Sequence, residues 1–363
     1  MRVGKLDFVL LISVIVIALF GLLMIYSSSS IWAEFKYQDE FKFVKAQALF
    51  LIIGITSMII ISKIEYLTYK TKANLIIGIC FLFLVLVLIP GIGTVRNGSR
   101  SRFGIGSLGI QPSEFMKLAM IIFIAKYMSN YQKLIPTVKK GILPILGIGL
   151  LAFILIMLQP DFGTGIILMM SVIALMFVGG VPLKFFITLG LLGMLGIIGL
   201  IAAAPYRLER IISFVNPWSD PLGSGFQIIQ SLYSIGPSGL LGMGFGNSIQ
   251  KHFYLPEPQT DFIFSIISEE FGILGIIIVA SLFITIIYRG FLIALKTDDL
   301  FPKFLAFGIT FTIAFQALLN LMVVVGLIPV TGVTLPFLSY GGSSLLVTLI
   351  SIGILLNISR YIK

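Results

Sequence analysis

The sequence predicts an all-α polytopic membrane protein with about ten transmembrane helices, and three observations carry that prediction. First, 58% of the 363 residues are hydrophobic and only 11% are charged, whereas soluble domains carry about a quarter charged residues. Second, the apolar residues gather in runs close to the roughly 20 residues that a helix needs to cross the hydrocarbon. Third, no run alternates with period two as the strands of a membrane barrel do. A helix also satisfies its own backbone where lipid offers no partner.

The first run, 8–26, follows Arg2 and Lys5 and ends in Tyr26-Ser27-Ser28-Ser29-Ser30. A secretory signal shares that outline. The run is long for one and many spans follow it, so it reads as an uncleaved first membrane helix. Further spans are expected at 43–62, 74–90, 114–128, 141–158, 162–179 and 184–204. A polar segment rich in Gly and Pro fills 205–262, and the last spans fall at 263–288, 303–327 and 341–358. Residues 1–363 thus read as one membrane domain.

An even number of spans places both termini on one side. With that side cytoplasmic, the inner segments carry fifteen Lys and Arg residues and the outer ones nine, in keeping with the positive-inside rule. The 205–262 segment is then extracytoplasmic, and a connection this long without an obvious element of its own is often functional. No internal repeat stands out, which disfavours the transporter folds built from repeated halves.

Composition excludes several functions. A net charge of +10 suits nucleic acid when it is gathered in one patch. Here the basic residues are scattered through short connections between spans, so no nucleic-acid partner is expected. Cys80, the one cysteine, forms no intrachain disulfide, and His252 is the one histidine. No set of Cys, His and carboxylates has zinc-binding spacing, so structural zinc, haem and redox chemistry are not expected.

Three polar clusters remain as candidates for chemistry. The first, Val95 to Arg102, sets Arg96, Arg100 and Arg102 on the outer face, against the general charge bias. Guanidinium forks pair with phosphate oxygens, so the ligand is either an anionic headgroup or pyrophosphate, or else ordinary anionic lipid at the interface. The second, Gln111-Pro112-Ser113-Glu114-Phe115-Met116-Lys117, opens the fourth span, with Pro112 and Ser113 as a helix start. Glu114 and Lys117 lie one turn apart. They form a structural ion pair or line a site, because ionisable groups within a span face protein or a wet cavity.

The third cluster is Tyr254-Leu255-Pro256-Glu257-Pro258-Gln259-Thr260-Asp261-Phe262-Ile263-Phe264. Its prolines are expected to keep 256–258 extended, with a helix beginning near Thr260 or Asp261. Asp261 is then an N-cap, a catalytic carboxylate kept ionised by the helix dipole, or both. Ser265 and Glu269 follow on the same helix face. Glu269 lies about 12 Å further along the axis, and Glu270 adjoins it. Other polar positions are the tight turn Gln159-Pro160-Asp161-Phe162-Gly163, the pair Gln316 and Asn320, and Ser339-Tyr340-Gly341-Gly342-Ser343-Ser344. The small residues of the last suit close helix packing.

These blocks, in this order and on these spans, resemble the SEDS family (shape, elongation, division and sporulation). The similarity covers Arg96 to Lys117, Gln159 to Gly163, Asn216 to Lys251, Tyr254 to Glu270 and Gly332 to Ser344. Asn216-Pro217-Trp218-Ser219-Asp220-Pro221, Gly225 to Leu232, Gly246 to Lys251 and Asn357 to Tyr361 are similar to the FtsW and SpoVE branch, with RodA the nearest alternative. One departure is Ser238, where the family pattern has a second glycine.

The resemblance implies a ten-span fold in the bacterial cytoplasmic membrane and peptidoglycan glycosyltransferase activity on lipid II, for cell division or spore cortex synthesis. It implies a class B penicillin-binding protein (a transpeptidase) as partner, with other divisome or sporulation proteins and membrane lipids around it. The family's essential aspartate falls on Asp261.

The expected reaction is a direct displacement in which Asp261, as general base, takes the proton of the acceptor 4-hydroxyl. Arg96, Arg100 and Arg102, with Lys117, neutralise the departing pyrophosphate, with or without a divalent cation such as Mg²⁺ or Mn²⁺. Holding that cation is the alternative role for Asp261. Glu114, Lys117, Glu269 and Glu270 are assigned with the arginines to substrate binding. Competing readings are a lipid II flippase, which those intramembrane charges would also serve, and a scaffold, which they would not.

Overall fold

The computed structural model describes residues 4–96, 99–104, 109–202, 214–223 and 225–362. The helices are α1 (Phe8–Tyr37), α2 (Lys42–Ile61), α3 (Tyr66–Leu86), α4 (Pro112–Asn130), α5 (Leu143–Met157), α6 (Phe162–Val178) and α7 (Leu183–Ala202). The long loop holds α8 (Phe226–Ile235), and after it come α9 (Ile263–Lys296), α10 (Leu300–Val324) and α11 (Gly342–Ser359). Among the described residues, seven helices are long and apolar enough to cross a membrane, counting α5 together with the π turn Val138–Ile142 that leads into it. Helices α4, α6 and α7 occupy the other three expected spans, so the polytopic all-α architecture stands. Residues 203–213, with Arg207 and Arg210, lie outside the described residues.

Several boundaries differ from expectation, each for a local reason. The first helix does not stop at Tyr26, because Ser28 and Ser29 turn their hydroxyls back onto Met24 O (2.7 Å) and Ile25 O (2.6 Å). Serines bonded in this way stay within a helix. Its other end is fixed by Asp7, which accepts from Leu10 N (3.0 Å) and pairs with Arg289 (2.6 Å). The connection before α4 holds a short hairpin, β1 (Thr94–Arg96) and β2 (Ser99–Arg102), paired antiparallel. The long loop contains α8, whose ten residues are too few to announce themselves by periodicity. Ile228, Ile229, Ser231 and Ser234 form its buried face. Ser231 Oγ reaches Ser265 Oγ (2.7 Å) and donates to Val324 O (2.6 Å), which fastens α8 to α9 and α10.

The bundle packs α11 on α2, α9 on both α1 and α10, and α4 between α3, α6 and α10. Gly342 permits the first contact, since a Cβ there would stand 2.3 Å from the Phe50 ring. The largest departure is in the eighth span. Helix α9 is broken at Gly272 (φ 61°, ψ −153°), a left-handed geometry that favours glycine. The break frees two carbonyls and two N–H groups, and residues 239–244 satisfy them. Met243 N and Gly244 N donate to Glu269 O and Glu270 O (2.9 Å each), while Ile273 N and Leu274 N donate to Gly239 O (3.0 Å) and Leu240 O (3.2 Å). Part of the long loop is therefore built into the bundle. Non-helical backbone inside a membrane is tolerated where protein satisfies it.

Candidate active site

Asp261 sits on the short segment between Lys251 and α9. The prolines at 256 and 258 do not hold this segment straight: Glu257 between them has φ 44° and Phe253 has φ 68°. Both are left-handed conformations that cost a side-chain-bearing residue energy. The helix begins at Ile263, with Phe262 in the capping position and no side-chain cap bond. Asp261 is thus not the N-cap, and its carboxylate is not spent on the helix. Its backbone is pinned instead: Asn320 Nδ2 on α10 donates to Asp261 O (2.7 Å) and to Val333 O (2.7 Å).

The carboxylate lines a cavity of about 340 Å³ enclosed by the hairpin, the starts of α4, α6 and α11, the Asp261 loop and α10. Arg102, Glu114, Asp161, Glu257 and Tyr340 are the other ionisable residues in its wall. Burial, reinforced by the Glu257 carboxylate, pushes the Asp261 carboxyl up to about 6, with Arg102 acting in the opposite direction. A carboxyl near 6 is largely ionised at neutral pH and still accepts a proton, the compromise that suits a general base.

The other expected site residues divide into groups. Glu114 is in the cavity wall, and it pairs with Lys117 at 3.0 Å. Lys117 is buried behind it and also donates to Gln316 Oε1 (2.9 Å), while Gln316 Nε2 donates to Thr334 O (3.0 Å). The pair is therefore structural and at the site together. Of the arginines, Arg102 reaches the cavity. Arg100 turns to the end of α3, where Nη1 donates to Leu88 O (3.3 Å). Arg96 ends β1, and its side chain lies outside the described residues, as do Asn97 and Gly98.

Glu269 and Glu270 are buried and do not line the cavity. Glu269 accepts from Ser248 Oγ (2.5 Å), Ile249 N (2.9 Å) and Gln250 N (3.4 Å). Glu270 accepts from Ser27 Oγ (2.5 Å) and Ser248 N (3.4 Å) and pairs with Lys251 (3.4 Å). The shared helix face expected for Asp261 and Glu269 does not exist, because Asp261 precedes the helix.

Sequence reasoning passed over Asp161 and Glu257. Asp161 is more than a turn residue: it accepts from Thr164 N (3.3 Å) as the cap of α6, and its other oxygen takes Gln111 Nε2 (2.7 Å) and Ser113 Oγ (3.0 Å). Gln316 and Asn320 did carry a signal, as amides inside an apolar span. Among the described residues, no group of three or more His, Cys, Asp or Glu is placed to hold a metal ion.

Residues 7–363 match the family described as cell cycle protein, comprising FtsW, RodA and SpoVE. The chain is 54% identical over 355 residues to stage V sporulation protein E of Bacillus subtilis (strain 168), with 98% of this chain and 97% of that protein covered. It is 40% identical over 362 residues to the probable peptidoglycan glycosyltransferase FtsW of Trichlorobacter lovleyi, with 100% and 95% covered. Among solved structures it is similar to a chain of a peptidoglycan synthase complex studied for its coordination of polymerization and crosslinking. That likeness has a TM-score of 0.82 and 30% identity, with 98% of each chain covered. RodA of Thermus thermophilus is similar at a TM-score of 0.71 and 27% identity, covering 99% of this chain and 98% of that one.

Proposed function

We infer the reaction from a premise that the comparisons supply: the chain belongs to the FtsW/RodA/SpoVE family of cell cycle proteins and is a peptidoglycan glycosyltransferase. Its substrate is lipid II, a disaccharide-peptide on undecaprenyl pyrophosphate, taken up from the outer face, with both termini in the cytoplasm. Asp261 accepts the proton of the acceptor 4-hydroxyl as that oxygen bonds to C1 of the donor. The C1–O bond to pyrophosphate breaks and its electron pair leaves with the lipid pyrophosphate. One inversion turns an α-linked donor into a β-1,4 glycan. No second carboxylic acid is required, because the leaving group is already a weakly basic anion.

The observation that carries this reading is Asp261 itself, uncapped, in the wall of a 340 Å³ cavity and poised near 6. Arg102 in the same wall supplies a guanidinium fork for the leaving pyrophosphate. A second, separate space that shares Glu114 and Gln316 with the cavity and is also lined by Lys117, Ile121 and Ile309 holds about 20 Å³. That is room for about one water, whereas ligand sites run to about 300–1,000 Å³. A neighbouring space that small favours chemistry in the cavity over passage of a sugar headgroup. The likeness to a chain of a synthase complex supports a class B penicillin-binding protein as partner.

The test is polymerisation of lipid II by the protein co-purified with its penicillin-binding protein, comparing wild type with Asp261→Ala and Asp261→Asn. Glycan from wild type and from neither variant is expected. Equal glycan from all three would remove Asp261 from the mechanism, and headgroup translocation in liposomes without any polymer would favour the flippase.

A further inference from the structure

Two intramembrane carboxylates, Glu269 and Glu270, lie one turn before the break in α9, away from the cavity. Buried ionisable groups are costly and persist where they have partners and a purpose. Their partners share a pattern: apart from Ser27 on α1 and Ser234 on α8, all lie in residues 248–251 of the loop. Lys251 Nζ also donates to Gly246 O (2.5 Å) and Ser27 Oγ (3.4 Å). The backbone of 239–244 is meanwhile bonded into the break. A Cβ on Gly242 would stand 2.4 Å from Glu270 C and O, and one on Gly272 would stand 2.5 Å from Gly242 N. Loop and helix are thus fitted backbone to backbone, then clamped by two carboxylates.

We propose that Glu269 and Glu270 are positioning residues that clamp residues 246–251 onto the broken helix and thereby hold the Glu257–Asp261 edge of the cavity in place. The chain of contacts is continuous. Leu255 N donates to Gln250 O (3.0 Å), Thr260 N to Glu257 O (3.0 Å) and Tyr340 N to Gln259 O (2.8 Å). Left-handed Phe253 and Glu257 lie between these ties, so the segment holds its shape only while both ends are fixed. Its far end is fixed by Asn320, and the clamp fixes the near end. The inference rests on the reading of Asp261 as the base, and it gives the two glutamates a role in catalysis without contact with substrate.

The consequence for Asp261 has a sign. Burial and Glu257 hold its carboxyl up, and Arg102 from β2 opposes them. Glu114 from α4 and Asp161 from the turn before α6 complete the charged wall, the segment before α11 adds the titratable phenol of Tyr340, and α10 and α11 present uncharged groups such as Gln316, Ser343 and Ser344. A slack loop lets Glu257 withdraw and water enter. Both changes favour the ionised carboxylate, so the acid limb of the rate profile moves down.

The experiment uses the complex with the penicillin-binding protein and compares wild type, Glu269→Gln and the double variant Lys251→Met/Glu270→Gln. The double variant removes both charges, because removing one member of a buried pair strands the other. Lipid II polymerisation is measured from pH 5 to 8, with hydrogen exchange over 252–258. The expected result is faster exchange in 252–258, an acid limb lower by about half a pH unit or more, and kcat/KM down by about tenfold or more. Unchanged exchange would overturn the clamp, and faster exchange with an unmoved acid limb would overturn its link to Asp261. Failure of the base reading itself looks different: wild type shows no acid limb near 6, or Asp261→Asn stays active. Exchange alone then decides the clamp, with protection lost in the double variant supporting it and protection retained overturning it.

Discussion

Replacing Asp261 by asparagine should abolish polymerisation and make the protein more stable. The carboxyl is held at about 6 against an ordinary 3.8, and each pH unit of displacement corresponds to about 1.4 kcal/mol. The ionised group therefore costs the folded state about 3 kcal/mol at neutral pH. The sign follows from linkage: between 3.8 and 6 the folded state binds the proton more tightly than the unfolded chain. Stability is thus lost as pH rises through that window, and the cost is constant above it. Asparagine keeps the shape and carries no charge. After allowing for an amide with hydrogen bonds of its own to satisfy, the gain at pH 7.5 is about 1–3 kcal/mol.

With an unfolding entropy of roughly 2.1 cal/mol/K per residue, that gain raises Tm by about 1–4 °C. Thermal unfolding in detergent at pH 7.5 and pH 5 measures it, with lipid II polymerisation run on the same samples. The difference between variant and wild type should be full at pH 7.5 and shrink towards pH 4, and glycan synthesis should fall by about a hundredfold or more. In wild type, synthesis should decline as pH falls through about 6, as Asp261 takes up its proton. A variant no more stable than wild type at pH 7.5, or a gain independent of pH, would refute the account of a buried, raised carboxyl.

Four further outcomes follow from the same geometry. Lys117→Met should cost about 3–5 kcal/mol by leaving Glu114 buried without its cation, and Glu114→Gln/Lys117→Met should recover most of the melting temperature. Arg102→Gln should move the acid limb upward, because the cation that opposes the rise of Asp261 is gone, and pH–rate profiles read that shift directly. Gly342→Ala should lose about 1–3 kcal/mol by overpacking against Phe50, and Phe50→Leu should restore part of it in thermal melts. Mg²⁺ or Mn²⁺ at millimolar concentration should leave the Tm of the substrate-free protein unchanged. A rise in Tm would reveal a protein-borne cation site that the described side chains do not form.

How much was legible in the sequence depended on which interaction decides each feature. Span placement rests on solvent transfer, a local property of composition, and among the described residues helices occupy the apolar runs, seven of them long and apolar enough to cross a membrane. The ends were less legible because a side chain settles them, as where Ser28 and Ser29 carry α1 past its apolar run. The hairpin, α8 and the break at Gly272 were invisible, since each depends on partners far along the chain. At the site, Asp261, Arg102, Glu114 and Lys117 could be picked out as charges beside or within apolar runs. What composition could not convey was direction. Glu269 was expected on the same helix face as Asp261, but the helix starts two residues after Asp261, so that the two carboxylates serve different partners. Asp161 and Glu257 looked like ordinary loop residues, and only the meeting of three separate connections brings them into one cavity with Asp261.

The placement of Asp261, the proposed base, explains why so much polar structure is built into an apolar bundle. A carboxyl near 6 must be partly dry, yet it must also meet a hydroxyl and a pyrophosphate, so it belongs at a loop–helix junction and not in mid-span. Such a position is unfavourable on its own terms. Asp261 carries its desolvation cost of about 3 kcal/mol, and Phe253 and Glu257 add about 1–3 kcal/mol each of backbone strain. A free loop would relax and lose all three. Here relaxation is opposed at one end by Asn320 on Asp261 O and Val333 O, and at the other by Glu269 and Glu270 on the 248–251 segment. Both anchors are polar groups inside the bundle, where a hydrogen bond faces little competition from water. Buried carboxylates set apart from the cavity thus follow from the requirement that one carboxylate, at the rim, remain poorly solvated.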